Sequence, residues 1–137
     1  MNHMRSFEFR LDGRSGVPVY RQIIDQVMAG IAAGALNPGD QLPTVRQMAV
    51  DLSINPNTVM RAYRELEIRG VLDTQQGTGT FIASQPAQQD EEDRRLYLAQ
   101  LVNEFVARAG SAGFTIEDLL EQLHDRTHRT DSQKKRR

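Results

Sequence analysis

Asn57, Arg61 and Arg64 bring hydrogen-bond donors together at spacings of four and three residues, which places them on one face of an α-helix. Arginine pairs in bidentate fashion with guanine O6 and N7, and asparagine with adenine N6 and N7, so such a face has the chemistry to read a DNA major groove. A helix that reads DNA must be held from behind. Val59, Ala62, Tyr63 and Leu66 recur at i, i+3, i+4 and i+7 and form an apolar stripe opposite the donors. Asn55 is a good N-cap, Pro56 suits the first helical position, and Gly70 supplies a left-handed stop, so the spacing predicts a helix over 56–69. An ordinary surface helix would show the same periodicity, and context separates the two readings.

The preceding segment supplies that context. Thr44 with Gln47 three residues on has capping-box spacing, and Val45, Met48, Ala49 and Leu52 follow at helical period. A short helix, a turn at Ser53-Ile54 and a second helix make a helix-turn-helix, in which the second helix enters the major groove and Arg46 of the first meets a phosphate or a base edge. After Gly70 the period changes to two. Val71–Gln75 and Thr80–Ala83 read as strands around the tip Gln76-Gly77-Thr78-Gly79, the wing of a winged helix-turn-helix, with Gln76 and Thr78 as donors toward a minor groove. A phosphate-cradling loop is the competing reading of Gly-x-Gly, but this loop joins two strands and carries no lysine.

Residues 17–83 resemble the DNA-binding domain of GntR-family bacterial transcription regulators. The resemblance is carried by Pro18-x-Tyr20-x-Gln22-Ile23, by Gly34-x-Leu36-x-Pro38-Gly39 leading to Leu42-Pro43-Thr44-x-Arg46, by Asn57-Thr58-Val59-x-x-Ala62-Tyr63-x-x-Leu66, and by Gly77-x-Gly79-Thr80-Phe81-Ile82. It implies a winged-helix dimer on an inverted-repeat operator, with Arg46, Asn57, Thr58 and Gly77 matching the family's DNA contacts. Many relatives carry arginine where this chain has Met60, so operator preference is expected to differ from theirs. The full candidate DNA-contact set is Arg46, Asn55, Asn57, Thr58, Arg61, Arg64, Gln76, Gly77 and Thr78.

Composition neither reveals nor contradicts this. The chain has 137 residues and a formal net charge of −1, with 17 basic against 18 acidic residues. Residues 1–83 hold eight arginines, eight acidic residues and no lysine. A nucleic-acid role therefore requires segregation of charge by face, since local field rather than net charge steers a polyanion. No cysteine is present, which excludes disulfides and thiol chemistry and suits a reducing cytoplasm. No membrane span is expected, because no apolar run is long enough, and no signal peptide, because residues 1–5 lead into a strand-like Phe7–Leu11. A first long helix from Pro18 is expected to bury Val19, Ile23, Ile24, Val27, Met28 and Ile31, with Tyr20 and Tyr63 as packing aromatics.

The remainder of the chain sets the assembly. Residues 84–89 read as a polar linker, and Asp90–Asp93 places acids in a helical first turn, where they complement the macrodipole. Leu98, Leu101, Val102, Phe105 and Ala109 follow at helical spacing, and Ser111–Gly113 turns the chain. A second helix begins at Thr115, with Asp118 at capping-box spacing and Ile116, Leu119, Leu120 and Leu123 on one side. Two such helices cannot enclose their own apolar faces, so residues 90–127 are expected to form a dimerisation hairpin; docking on the chain's own winged helix is the alternative. This short tail is similar to that of the YtrA-type subgroup, which the resemblance implies is used for dimerisation. A small-molecule effector, where one exists, is expected at an interface, since so few residues enclose little volume.

No nucleophile elbow or paired-carboxylate arrangement stands out, and no enzymatic role or cofactor is expected. His124 and His128 have helical metal-binding spacing but lack a clear third ligand, and no metal site is assigned. Residues 128–137 read as a disordered basic tail. The expected fold is therefore α+β, with three helices and a hairpin wing followed by a two-helix hairpin. The expected function is that of a homodimeric cytoplasmic repressor on double-stranded operator DNA. A winged helix that binds a protein partner is the alternative, favoured by Ile68 and Met60 on the outer face.

Overall fold

The computed structural model describes residues 7–84 and 90–135, with side chains through Thr127. It divides the chain into two units, Met1–Gln85 and Pro86–Arg137, each with its own packing. Most of the linker expected at 84–89 lies outside the described residues.

The first unit contains helices α1 (Val19–Ala32), α2 (Val45–Leu52) and α3 (Pro56–Ile68), with strands β1 (Gln41–Leu42), β2 (Leu72–Gln75) and β3 (Gly79–Ile82). Local chemistry sets the helix ends. Thr44 Oγ1 accepts the backbone N–H of Gln47 at 3.0 Å, and Asn55 Oδ1 accepts that of Asn57 at 2.8 Å, each satisfying a donor that a helix start leaves free. Between the two helices Ser53 takes a left-handed conformation at φ 56°, which allows a turn of three residues. Pro18 stands just before α1 as its cap rather than within its first turn.

The core is continuous across the three helices and the sheet. Ile23, Ile24 and Val27 of α1 meet Met48 and Ala49 of α2 and the whole predicted stripe of α3, Val59, Ala62, Tyr63 and Leu66. Leu42, Val71, Leu72 and Ile82 close it from the sheet side. Val19 and Ile31 are partly buried, while Met28, expected inside, is 38% exposed because it lies at the edge of the wide face that α1 offers. Tyr63 is enclosed and donates its hydroxyl to the carbonyl of Pro43 at 2.5 Å, tying α3 to the entry of α2. Burial pushes its phenol up, so it remains a neutral donor well into the alkaline range.

The wing is a three-stranded antiparallel sheet in the order β1-β3-β2, one strand more than the expected hairpin. Gln41 and Leu42 pair with Phe81 and Thr80, and Leu72 through Gln75 pair with Ile82 through Gly79. Gly79, expected in the tip, is the first residue of β3, leaving Gln76, Gly77 and Thr78 as the loop. Thr78 N–H bonds to Gln75 C=O, and Gly77 at φ 80° fills the position where a type II turn needs a positive φ.

Phe7–Leu11 does not form the expected strand. Its backbone is held by side-chain amides of α1. Gln26 accepts from Arg10 N–H at 2.8 Å and donates to Arg10 C=O at 2.7 Å, and Gln22 makes the same pair of bonds with Asp12 at 2.8 and 3.0 Å. Phe7 packs edge-to-face on Phe9 and lies over Gly30, where an added Cβ would stand 2.6 Å from the Phe7 ring.

In the second unit α4 (Glu91–Ser111) is capped by Asp90 and α5 (Ile116–Lys135) by a reciprocal capping box. Asp118 accepts Thr115 N–H at 2.9 Å while Thr115 Oγ1 accepts Asp118 N–H at 3.2 Å. The helix continues through residues 128–135, which were expected to be a loose tail; residues 136–137 lie outside the described residues.

Replacing Tyr63 by phenylalanine should lower the unfolding free energy of the first unit by about 1 kcal/mol at neutral pH, read by denaturant titration. The raised phenol pKa contributes stability that is fully present below about pH 10, the unfolded value, and is lost as pH rises toward the folded one. Tyr63→Phe should therefore also remove this part of the alkaline decline.

Candidate nucleic-acid interface

With its inner stripe buried, α3 has one free side. Asn57, Met60, Arg61, Arg64, Glu65 and Ile68 line a shallow depression along it. Asn57, Arg61 and Arg64 are exposed, as the spacing predicted, and Thr58 beside them is half-buried with its backbone N–H donated to Asn55 C=O. Arg46 is exposed on α2. Gln76, Gly77 and Thr78 are exposed at the wing tip, outside the depression. Asn55 is exposed too, but its side-chain oxygen is committed to capping α3. Gln41 steadies the wing from β1, donating its amide to Thr78 C=O at 3.2 Å, a contact between distant residues that sequence spacing does not announce.

The electrostatics depend on where the acids are engaged. Glu65 pairs with Arg69 at 2.7 Å, Glu67 accepts from the Thr74 hydroxyl, and Asp51 accepts from Gln47 at 2.7 Å. Asp25 pairs with Arg21 at 3.8 Å, Glu8 with Arg10 at 3.2 Å, and Asp40 accepts the N–H of Asn37 at 2.8 Å. Such exposed pairs add little stability. Their effect is to occupy the negative groups, and among the described residues no ion pair includes Arg46, Arg61 or Arg64. Glu65 shares the depression with Arg61 and Arg64, but its carboxylate is held by Arg69, which leaves these two arginines without an acidic partner among the described residues. All of these cations are guanidinium groups, since the first 83 residues contain no lysine.

One contact of this face escaped sequence reasoning. The guanidinium carbon of Arg61 lies 3.8 Å from the ring centroid of Tyr20 on α1, a cation–π stack between residues far apart in the chain. Tyr20 is half-buried, so the expectation that it packs holds for one of its faces.

In the second unit the apolar side chains are turned outward. Leu98, Leu101, Val102, Phe105, Ile116, Leu120 and Leu123 are exposed, and Leu119 is half-buried. Leu96, Tyr97 and Phe114, which periodicity alone did not single out, are exposed as well. A groove of about 640 Å³, lined in part by Phe105, Ala109, Phe114 and Leu119 with Arg108 and Asp118 at its margin, runs between α4 and α5. This is more volume than the length of the tail led us to expect, although it is open to solvent.

The first unit, a helix-turn-helix with a three-stranded wing, has the winged helix-turn-helix architecture found in many transcription regulators. The model of the bacterial regulatory proteins of the gntR family matches residues 19–82. The HTH-type transcriptional regulator YhcF of Bacillus subtilis is 40% identical over 110 residues, covering 80% of this chain and 90% of its own. The HTH-type transcriptional repressor YtrA of the same organism is 35% identical over 116 residues, covering 85% and 89%. The crystal structure of a transcriptional regulator from Oenococcus oeni superposes with a TM-score of 0.55 at 34% identity, covering 87% of this chain and 98% of that one. The chain belongs to the GntR family, close to its short YtrA- and YhcF-type regulators. The family and these relatives are transcriptional regulators and not enzymes. Among the described residues no helix is long and apolar enough to cross a membrane.

Asn55→Ala should lower stability by about 1 kcal/mol through loss of the cap. Denaturant titration would measure this, and DNA selection with the same variant should return an unchanged base preference, as befits a residue that serves the helix.

Proposed function

We propose that this protein is a homodimeric, sequence-specific DNA-binding repressor that acts in the cytoplasm and occludes a promoter by occupying an inverted-repeat operator. The observation that carries the reading is the outer face of α3, where Asn57, Arg61 and Arg64 stand exposed without an acidic partner among the described residues. Asn57, Thr58 and Arg61 would meet base edges in the major groove, Arg46 and Arg64 phosphates, and the Gln76-Gly77-Thr78 tip the neighbouring minor groove. Met60, 42% exposed between these donors, offers an apolar surface of the kind that contacts a thymine methyl. The apolar faces of α4 and α5 call for a second copy of the same hairpin, because a two-fold axis covers both with one surface. The groove between these helices is the place we assign to a small-molecule effector at the interface.

A second reading, a winged helix that docks a protein and reads no DNA, is favoured by Ile68, which is 80% exposed on the same side as Met60. In vitro selection of random double-stranded DNA by the purified protein, read by sequencing, separates the two. We expect an enriched inverted repeat whose affinity falls steeply with salt. No enrichment at moderate salt would transfer the assignment to a protein partner.

On that operator Arg61→Ala should weaken binding by about 1–3 kcal/mol and relax one base position, whereas Arg46→Ala should weaken all sequences alike and reduce the salt slope by about one per protomer. Ending the chain at Gln89 should give folded monomers in sedimentation that bind the operator much more weakly, since two linked half-sites no longer act together. A truncated chain that still sediments as a dimer would place the interface elsewhere.

A further inference from the structure

We propose that Tyr20 is a positioning residue for Arg61, and that the stacked pair, rather than the arginine alone, sets the base selected at one operator position. The inference rests on the reading of α3 as the recognition helix and adds to it a residue outside the helix-turn-helix.

The geometry is specific. The Arg61 guanidinium carbon sits 3.8 Å from the centre of the Tyr20 ring. Tyr20 is half-buried and packed against the core, so the ring is held from behind by the same apolar contacts that fix α1. Arg61 has no carboxylate within ion-pair distance among the described residues, which leaves the ring as its holding contact. Neither Arg46 nor Arg64 shows a ring contact of this kind among the described residues.

A guanidinium lying flat on a ring engages its planar face and keeps its N–H edge free, and the 3.8 Å separation suits that arrangement. Bidentate recognition of guanine uses that edge. The stack is therefore compatible with base reading. An arginine already confined on a ring has fewer rotamers to lose on binding, so its donors reach the base edge at a smaller entropic penalty than those of an unsupported side chain. A planar cation is required, because an ammonium offers a point charge with neither the flat face nor the forked edge.

The test is a double-mutant cycle on the full chain, using as probe the double-stranded DNA that the unmodified protein enriches from a random pool. Tyr20→Leu should lower affinity about two- to fivefold per half-site, the range of a partly exposed cation–π contact, and should flatten preference at the same base position as Arg61→Ala. Tyr20→Phe, which keeps the ring, should retain both affinity and preference. In an Arg61→Ala background Tyr20→Leu should have no further effect. Arg61→Lys should lose the preference while keeping its charge, and this variant leaves the α1 packing intact. Equal losses from Tyr20→Leu in both backgrounds, a loss uniform over all base variants, or full preference retained by Arg61→Lys would each overturn the coupling while leaving α3 as the reading helix. An Arg61→Ala variant with unchanged affinity and preference would overturn the coupling together with the role of Arg61 in reading DNA.

Discussion

Burial of one stripe of α3 is the constraint from which the rest of the first unit follows. Val59, Ala62, Tyr63 and Leu66 are enclosed by α1, α2 and the sheet, and each large side chain fully removed from water contributes roughly 1.5–3 kcal/mol. That packing fixes the rotation of α3 about its own axis. With the rotation fixed, the donors on the opposite side face outward whatever their own contribution to stability. The Tyr63 hydroxyl adds direction to the non-directional packing, because its bond to Pro43 C=O pins the start of α2 against α3. Residues on the outer face can therefore be exchanged without disturbing the scaffold, and Met60, 42% exposed, is one such position.

The second constraint is electrostatic. With acids and arginines balanced in the first 83 residues, the sign of the outer face of α3 is decided by pairing and placement. Glu65 and Glu67 lie on α3 itself, yet one is turned to Arg69 and the other to Thr74 at the base of the wing. These bonds run toward the C-terminal end of the helix and the strand that follows it. The N-terminal half, which a helix-turn-helix inserts most deeply, carries arginine and asparagine and no acid.

The parts of this architecture that were legible in the sequence are those encoded by neighbours. Caps at Thr44, Asn55 and Thr115 and the apolar periods of the helices are short-range signals, and they located the helix-turn-helix and the helical hairpin. What escaped was non-local. β1 is two residues long and exists because β3 lies beside it. The arm before α1 reads as a strand by its alternation, but its backbone partners are the side chains of Gln22 and Gln26 rather than another strand. The turn at Ser53-Ile54 was located, but not the left-handed backbone of Ser53 within it, because serine has no strong preference for that conformation. The candidate contact residues were found by type and face, while the stack of Arg61 on Tyr20 depends on how α1 crosses α3 and lies beyond any local pattern. The length of α5 was missed because its last turns are polar and basic, with no apolar period to extend the prediction.

The all-arginine character of the first unit sets how its surface responds to its surroundings. Its arginines are planar guanidinium donors rather than amines. Lysine occurs in this chain only at positions 134 and 135, at the far end of α5. Side-chain acetylation, which removes charge from amines, has no target in the unit that holds α3 and can change only the far C-terminal residues. The arginines of α3 thus lie outside the reach of lysine acetylation.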